Sequence, residues 1–153
     1  MIVYRISKCK YIDDLSGYGA YLESGRWNSA GREMIYTSQS VALSMLEILA
    51  HLPASIAPTG FCLLTLEIPD NEIETINTKQ LPKNWNSYPS INATKHIGDI
   101  FLEKRNTIAL QIPSSIVERE NNILLNPLHP NFKKKVKMIS KEEIRIDKRF
   151  SHR

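Results

Sequence analysis

An arginine, a tyrosine and a glutamate, Arg26, Tyr36 and Glu47, follow one another at intervals of ten and eleven residues. The arginine follows Gly25, which lets the backbone bend or approach a ligand closely, and its planar, permanently charged fork suits phosphate. The tyrosine offers a flat face with a hydroxyl at its rim, and the glutamate offers an anion. Such a set could hold an anionic nucleotide, stack on a nicotinamide-like ring and stabilise a developing cation.

The glutamate also has an ordinary structural interpretation. Apolar residues of the helix predicted over 41–52 cover most of its circumference at about 100° per residue, so we expect the helix to be largely buried. Glu47 lies in the narrow polar strip and faces either solvent or a cleft. A buried carboxylate needs a partner, and Arg5 or Arg26 is the expected counter-charge.

The other candidate residues have structural alternatives too. Arg26 could form a salt bridge on a surface loop, with Trp27 packed beneath it, and Tyr36 could pack in the core. Ser114 and Ser115 follow a proline at a predicted strand end, where they either donate to a ligand or stabilise a turn.

Three asparagines, Asn121, Asn122 and Asn126, flank a short apolar segment late in the chain. We expect their amides to be buried and to tie this last segment down, because buried polar groups need hydrogen-bond partners. The structural interpretation is therefore preferred to a ligand-binding one for all three.

Short strands mixed with two clear helices must position these side chains. We predict strands over 2–7, 34–37, 61–68, 73–76 and 107–112, a last strand formed by 138–139 and 143–146, and helices over 41–52 and 92–105. The strand 61–68 is expected at the sheet centre, Ile116 and Val117 could continue a broken strand, and 13–19 is expected to be a loop. This pattern indicates an α+β fold: a compact mixed sheet core with flanking helices.

The length of 153 residues fits one domain, 1–147, followed by a loose basic tail, 148–153. No apolar run approaches the ~20 residues that a membrane span needs, and the chain begins as a strand without a secretion signal, so we expect a cytoplasmic protein. Cys9 and Cys62 are expected to be reduced packing residues, with a disulfide as the less favoured alternative. The four histidines lack metal-ligand spacing, so no metal site is expected.

Positive charge is concentrated in the last third of the chain. A solvated surface is the simpler interpretation, and an electrostatic patch for an acidic protein or a nucleic acid is the sharper one. No aromatic residues are interleaved to stack on single strands, so a protein partner is favoured over nucleic acid. The residues concerned are Lys133, Lys134, Lys135, Lys137, Lys141, Arg145, Lys148, Arg149 and Arg153.

Several segments together resemble the RES-domain family, which is named for its Arg, Glu and Ser residues. They occur in the family's order and span most of the chain. The sequence has Ser24 where many relatives have a second glycine, which leaves the match at Arg26 intact. The matching segments are Tyr4-Arg5-Ile6, Gly25-Arg26-Trp27-Asn28, Ile35-Tyr36-Thr37-Ser38, 42–51, Ile112-Pro113-Ser114-Ser115 and 122–130.

Members of this family are the toxins of bacterial RES–Xre toxin–antitoxin pairs. The resemblance implies a fold related to ADP-ribosyltransferases and an enzyme that degrades cytosolic NAD+ by cleaving its nicotinamide–ribose bond, with no cofactor beyond this substrate. Carried over by motif, Arg26, Tyr36 and Glu47 form the active site, Ser114 lines the pocket, and Arg5 competes with Arg26 for the ligand. The acceptor is left open among water, phosphate and a protein.

The resemblance also implies an Xre-like helix-turn-helix antitoxin that covers the active site, with nucleic acid contacted only through that antitoxin. The oligomeric state is left open, and a homodimer within the complex is one arrangement. Two other classes of function remain as alternatives. A nucleic-acid-acting module predicts steeply salt-dependent binding to DNA or RNA, whereas a non-catalytic partner-binding domain predicts no turnover.

Overall fold

The structure is a computed structural model that describes residues 1–53 and 59–151. Its strands are β1 (Ile2–Lys8), β2 (Ile35–Ser38), β3 (Phe61–Glu67), β4 (Ile73–Thr75), β5 (Ala109–Pro113), β6 (Asn121–Leu125) and β7 (Lys137–Ile144). Its α-helices are α1 (Tyr18–Leu22), α2 (Val41–His51), α3 (Asn92–Lys104) and α4 (Phe132–Lys135). None of these helices has the length and apolar character needed to cross a membrane.

The strands form one mixed sheet in the order β4-β5-β6-β2-β1-β3-β7, in which only the β4–β5 pair is parallel. This sheet with its helices confirms the predicted α+β fold. The prediction that strand 61–68 lies at the centre is wrong, because β3 is next to the edge strand β7. Its apolar character has another cause: Leu64 packs in the core on one face of the sheet, and Leu63 packs on the other.

The two long helices pack on the same face of the sheet. The register pairs Tyr4 with Ser38 and Ser38 with Asn122, so these three side chains share that face. On the same face, α3 packs through Phe101 over β5 and β6, and α2 packs through Leu49 over β1 and β3. The polar residues of β1, β2 and β6 therefore lie between two apolar clusters.

Two local predictions differ from the structure. The segment expected to be a loop, 13–19, runs into α1, which begins after Gly17 with its φ of +78°. The segment with Ile116 and Val117 is not a strand but a turn, because both backbone N–H groups donate to the hydroxyl of Ser114. The expected tail, 148–153, includes a 3-10 helix over Lys148–Ser151, and residues 152–153 lie outside the described residues.

Cys9 and Cys62 form a disulfide, so the preference for two reduced cysteines is wrong. The residues are 53 positions apart in the sequence. The register of β1 against β3 pairs Ser7 with Cys62 and Lys8 with Phe61, so Cys9, which directly follows β1, lies diagonally across the strand pair from Cys62. Sequence spacing carries no information on that register, and the isolated positions of the two cysteines therefore misled the prediction.

Candidate active site

A cavity of about 290 Å³ opens on this face of the sheet, between α2 and the loop that carries Arg26. The residues that line it include four predicted site residues together with two that the prediction did not use. They are Arg5, Arg26, Tyr36, Glu47, His51 and Asn122. The fold thus brings together side chains from β1, β2, α2, β6 and the loop before β2.

Helix α2 is held at the cavity by capping and by a bond to the sheet. Ser40 caps its N-terminus by accepting a hydrogen bond from the N–H of Leu43 at 3.1 Å, and the hydroxyl of Ser44 donates to the carbonyl of Tyr4 at 3.0 Å. The expectation that α2 is largely buried is wrong: Val41 and Leu46 are each 38% exposed. The buried residues of α2, Leu43, Ser44 and Leu49, face the sheet, and Glu47 lies beside that face.

The carboxylate of Glu47 is anchored through one of its oxygens. Its Oε1 accepts hydrogen bonds from the hydroxyl of Ser114 at 2.9 Å and from the Nδ2 of Asn122 at 2.5 Å. Within the described chain neither Arg5 nor Arg26 forms an ion pair with it, so the expected counter-charge is replaced by two neutral donors. The other oxygen, Oε2, has no hydrogen-bond partner among the described residues and is available to a ligand.

Ser114 lies behind the glutamate and not at the cavity wall where it was expected. Its side chain is fully buried. Its hydroxyl accepts hydrogen bonds from the N–H groups of Ile116 and Val117, at 3.0 and 3.2 Å, and donates its proton to Glu47. The turn after β5 therefore sets the direction of this hydroxyl, and Ser114 acts on the cavity through the carboxylate.

Asn122 is the site residue that the sequence interpretation missed. It was expected to have only a structural role, but it lines the cavity and contacts Glu47. Its Oδ1 accepts a hydrogen bond from the hydroxyl of Ser38 at 2.7 Å, which turns its NH2 group toward the glutamate. The available signal was an amide near the start of a strand that is otherwise apolar after Asn122, at a position that shares its face with the buried Leu124.

The loop that carries Arg26 is tightly packed. Trp27 is buried, as expected, and stacks on Trp85 with ring centroids 6.3 Å apart. The Nη1 of Arg26 donates to the carbonyls of Trp85 and Ser87, at 2.7 and 2.9 Å. Burial lowers the pKa of the Arg26 guanidinium, while the nearby Glu47 opposes that change. The guanidinium of Arg26, which lines the cavity, is therefore oriented by the protein.

Tyr36 presents its ring to the cavity and uses its hydroxyl to fasten the neighbouring turn. The hydroxyl donates to the Oδ1 of Asn28 at 2.7 Å and accepts from the N–H of Trp27 at 3.2 Å. Burial raises the pKa of Tyr36 well above its usual value, so the phenol stays neutral. A Cβ atom on Gly25 would lie 2.3 Å from this oxygen, which explains why glycine is needed in the turn.

Arg5 lies at one end of the cavity. Its Nη1 donates to the carbonyl of Asp14 at 2.6 Å. Burial lowers the pKa of its guanidinium, and the charge of Asp14 opposes the change. Both candidate ligand arginines, Arg5 and Arg26, therefore reach the same cavity. Across residues 1–53 and 59–151, no group of His, Cys, Asp and Glu side chains is arranged to hold a metal ion.

Residues 2–147 match the model of the RES domain family. The chain belongs to the RES domain family. The match covers nearly the whole chain and includes every residue that lines the cavity. The RES family assignment therefore confirms the resemblance that the motifs indicated.

Curated RES relatives cover most of this chain and of their own lengths. "Toxin Res" of Photorhabdus laumondii is 38% identical over 97% of this chain and 96% of its own. "Toxin Res" of Yersinia enterocolitica is 41% identical over 86% of this chain and 88% of its own. The "Prs ADP-ribosylating toxin" of a Sphingobium species is 36% identical over 79% of this chain and 77% of its own.

The fold has a counterpart among solved structures. A chain in the crystal structure of the M. tuberculosis MbcT–MbcA toxin–antitoxin complex superposes with a TM-score of 0.72, over 94% of this chain and 83% of that chain. The sequence identity is 17%. The similarity therefore concerns the fold.

Proposed function

We propose that this protein is the toxin of a bacterial toxin–antitoxin pair and that it degrades NAD+ by cleaving the nicotinamide–ribose bond. The arrangement of Glu47 carries the proposal. Its Oε1 is held by Ser114 and Asn122, while its Oε2 is available at a cavity that also contains two arginines and a tyrosine ring. The names of the RES relatives, which describe toxins and in one case an ADP-ribosylating toxin, support the same chemistry.

The glutamate would act on the sugar and not on the leaving group. When the bond between the anomeric carbon and the pyridinium nitrogen breaks, both electrons go to the nitrogen, so nicotinamide leaves as a neutral ring and needs no general acid. The ribose becomes oxocarbenium-like, as in other glycosyl transfers. Glu47 stabilises this charge through Oε2 and can accept a hydrogen bond from a ribose hydroxyl. Because Oε1 is already anchored, the carboxylate needs little reorientation during the reaction.

The other cavity residues would bind and orient the substrate. The fork of Arg26, fixed by two loop carbonyls, offers N–H groups to phosphate or ribose oxygens, and Arg5 adds a second positive charge. The ring of Tyr36 stacks on nicotinamide or shapes its pocket. The acceptor then attacks the open face of the sugar: water yields ADP-ribose and a proton, and phosphate yields ADP-ribose phosphate.

Transfer of ADP-ribose to a protein is the second candidate. The observation that favours it is the Sphingobium relative, whose name describes ADP-ribosylation. A protein acceptor would replace water or phosphate at the same carbon, with the same roles for Glu47, Arg26 and Tyr36.

A toxin that consumes NAD+ must be inhibited in its own cell. We propose an antitoxin of the Xre helix-turn-helix type that covers the cavity, and this is supported by the fold shared with a chain of a toxin–antitoxin complex.

We also propose that the protein acts in the cytoplasm, where NAD+ is abundant. Disulfides are uncommon there, so alkylating free thiols at the moment of lysis, without reductant, and counting them would show whether Cys9 and Cys62 are joined in the cell.

Product analysis tests the proposal. Purified protein is incubated with NAD+ in phosphate-free buffer and in phosphate buffer, and the products are separated by chromatography. Nicotinamide with ADP-ribose indicates hydrolysis, and nicotinamide with ADP-ribose phosphate indicates phosphorolysis. Labelled NAD+ with a cell lysate reveals a protein acceptor. Failure to release nicotinamide under all three conditions would contradict the proposed function.

A further inference from the structure

Strands β1 and β2 separate soon after they meet. In the described chain they pair only at Tyr4 and Ser38, whereas β1 pairs with β3 along its whole length. A second cavity, of about 320 Å³, lies where the two strands diverge and is lined by Ser7 of β1 and Ile35 of β2. The two cavities adjoin, because both are lined by Arg5, Ile6, Gly25 and Tyr36.

We propose that this second cavity binds the adenosine half of NAD+, an inference that rests on the proposed function. The cavity beside Glu47 is near the lower end of the ~300–1,000 Å³ range of small-molecule sites. NAD+ is two nucleosides joined by a pyrophosphate, and each cavity suits one nucleoside. With nicotinamide riboside beside Glu47, the adenosine half would extend past Arg5 into the gap between the strands.

Arg5 stands where the pyrophosphate of such a ligand would lie. It lines both cavities, and its bond to the carbonyl of Asp14 uses one N–H of Nη1. The rest of the guanidinium remains for phosphate oxygens, which arginine binds through paired hydrogen bonds. Partial burial of Arg5 in the fold strengthens such a charge-assisted contact relative to one in water.

The walls of the second cavity match an adenosine. Asp14 and Glu23 line it, and a carboxylate is the group that accepts hydrogen bonds from ribose hydroxyls in other NAD+ sites. Tyr18 also lines it and is 54% exposed, with its ring stacked on Tyr21 at a centroid distance of 5.9 Å. The ring of Tyr18 is both exposed and held in place by Tyr21, so it offers a stacking surface for adenine. The same carboxylates would repel a 2′-phosphate, so the site should prefer NAD+ to NADP+.

Ligand binding without turnover tests the subsite. Calorimetry in the Glu47→Gln background, which slows cleavage of the nicotinamide–ribose bond, compares ADP-ribose with nicotinamide mononucleotide, which lacks the adenosine half. We expect Tyr18→Ala to weaken ADP-ribose binding about tenfold or more and to leave nicotinamide mononucleotide binding unchanged, while Tyr18→Phe retains both. Tyr11→Ala, at an exposed tyrosine outside both cavities, is the matched control. Equal losses for the two ligands, or no loss for ADP-ribose, would overturn the inference.

A charge reversal at Glu23 tests whether the acidic residues of the second cavity select against a 2′-phosphate. Glu23→Lys should improve binding of ADP-ribose 2′-phosphate relative to ADP-ribose by about tenfold, and Glu142→Lys on β7, with the same change in net charge, should not. An equal effect of both variants contradicts a specific contact. If the variants change ligand binding as expected but the wild-type protein does not cleave NAD+, the proposed function alone is contradicted. If the wild-type protein cleaves NAD+ but the variants do not change ligand binding as expected, the adenosine subsite alone is contradicted.

Discussion

The Nδ2 of Asn122 lies 2.5 Å from the Oε1 of Glu47, the oxygen that also accepts a hydrogen bond from Ser114. Two donors on one oxygen leave the other oxygen of the carboxylate without a partner in the described chain. The glutamate is thereby oriented and still able to bind a ligand. This asymmetry is the basis of the proposed chemistry, because preorganised charge stabilises a transition state without reorganisation.

Replacement of Glu47 by glutamine removes the charge and retains the shape. In Glu47→Gln the side-chain carbonyl can still accept from Ser114 and Asn122, so we expect an unchanged urea midpoint. The rate of nicotinamide release should fall by about 10²-fold or more, the effect of losing a preorganised electrostatic contact. Glu142→Gln is the control, since it makes the same change at an exposed residue of β7. Full activity in Glu47→Gln would remove the proposed role.

The orientation of Asn122 depends on Ser38. Ser38→Ala frees the amide to rotate away from Glu47, so we expect kcat for NAD+ to fall about tenfold while KM changes little, in keeping with a lost hydrogen bond of ~1.4 kcal/mol. Ser38→Thr should restore the hydroxyl and most of the rate. The matched control is Asn121→Ala, because the side-chain amide of this neighbour hydrogen-bonds to Gln39 at the surface. A rise in KM alone would contradict a positioning role.

The buried phenol of Tyr36 should make the free energy of unfolding depend on pH under alkaline conditions. Burial raises its pKa in the folded state above the value of about 10 in the unfolded chain. The unfolded state therefore loses the proton first, and the free energy of unfolding should decrease above about pH 10, by up to ~1.4 kcal/mol per pH unit, until the folded pKa is reached. In Tyr36→Phe this contribution is absent, although the variant should lose ~1–3 kcal/mol at neutral pH through its unpaired partners in the turn.

Denaturant unfolding of both proteins between about pH 8 and 11 measures this difference. Parallel pH profiles for wild type and Tyr36→Phe would contradict the raised pKa. For activity, Tyr36→Phe keeps the ring and should be milder than Tyr36→Ala, and the reverse order would count against stacking.

Gly98 of α3 lets the loop beside Arg26 approach the helix. A Cβ atom at this position would lie 1.7 Å from the carbonyl oxygen of Trp27, which is backbone and cannot rotate away. Gly98→Ala should therefore lower the free energy of unfolding by about 1–3 kcal/mol and weaken NAD+ binding, since Trp27 adjoins Arg26. Gly19→Ala in α1, where a Cβ meets nothing within 4 Å, is the control in a thermal unfolding assay. Equal melting temperatures for the two variants would contradict this contact.

Local patterns predicted much of the fold and part of the site. The helix around Glu47 follows from its apolar spacing, and β2 and β5 lie within a residue or two of their predicted bounds. Motif order indicated the RES family, which the family model confirms. These features depend on residues close together in the chain, so the sequence alone determined them.

Only the tertiary structure decided which distant residues meet. Asn122 reaches Glu47 from 75 positions away and Cys9 reaches Cys62 from 53, through strand registers that no local pattern encodes. The same packing places β3 near the edge of the sheet and leaves one side of α2 uncovered. Hydrophobic periodicity specifies which face of an element is buried, but the choice of neighbouring element depends on the packing of the whole core.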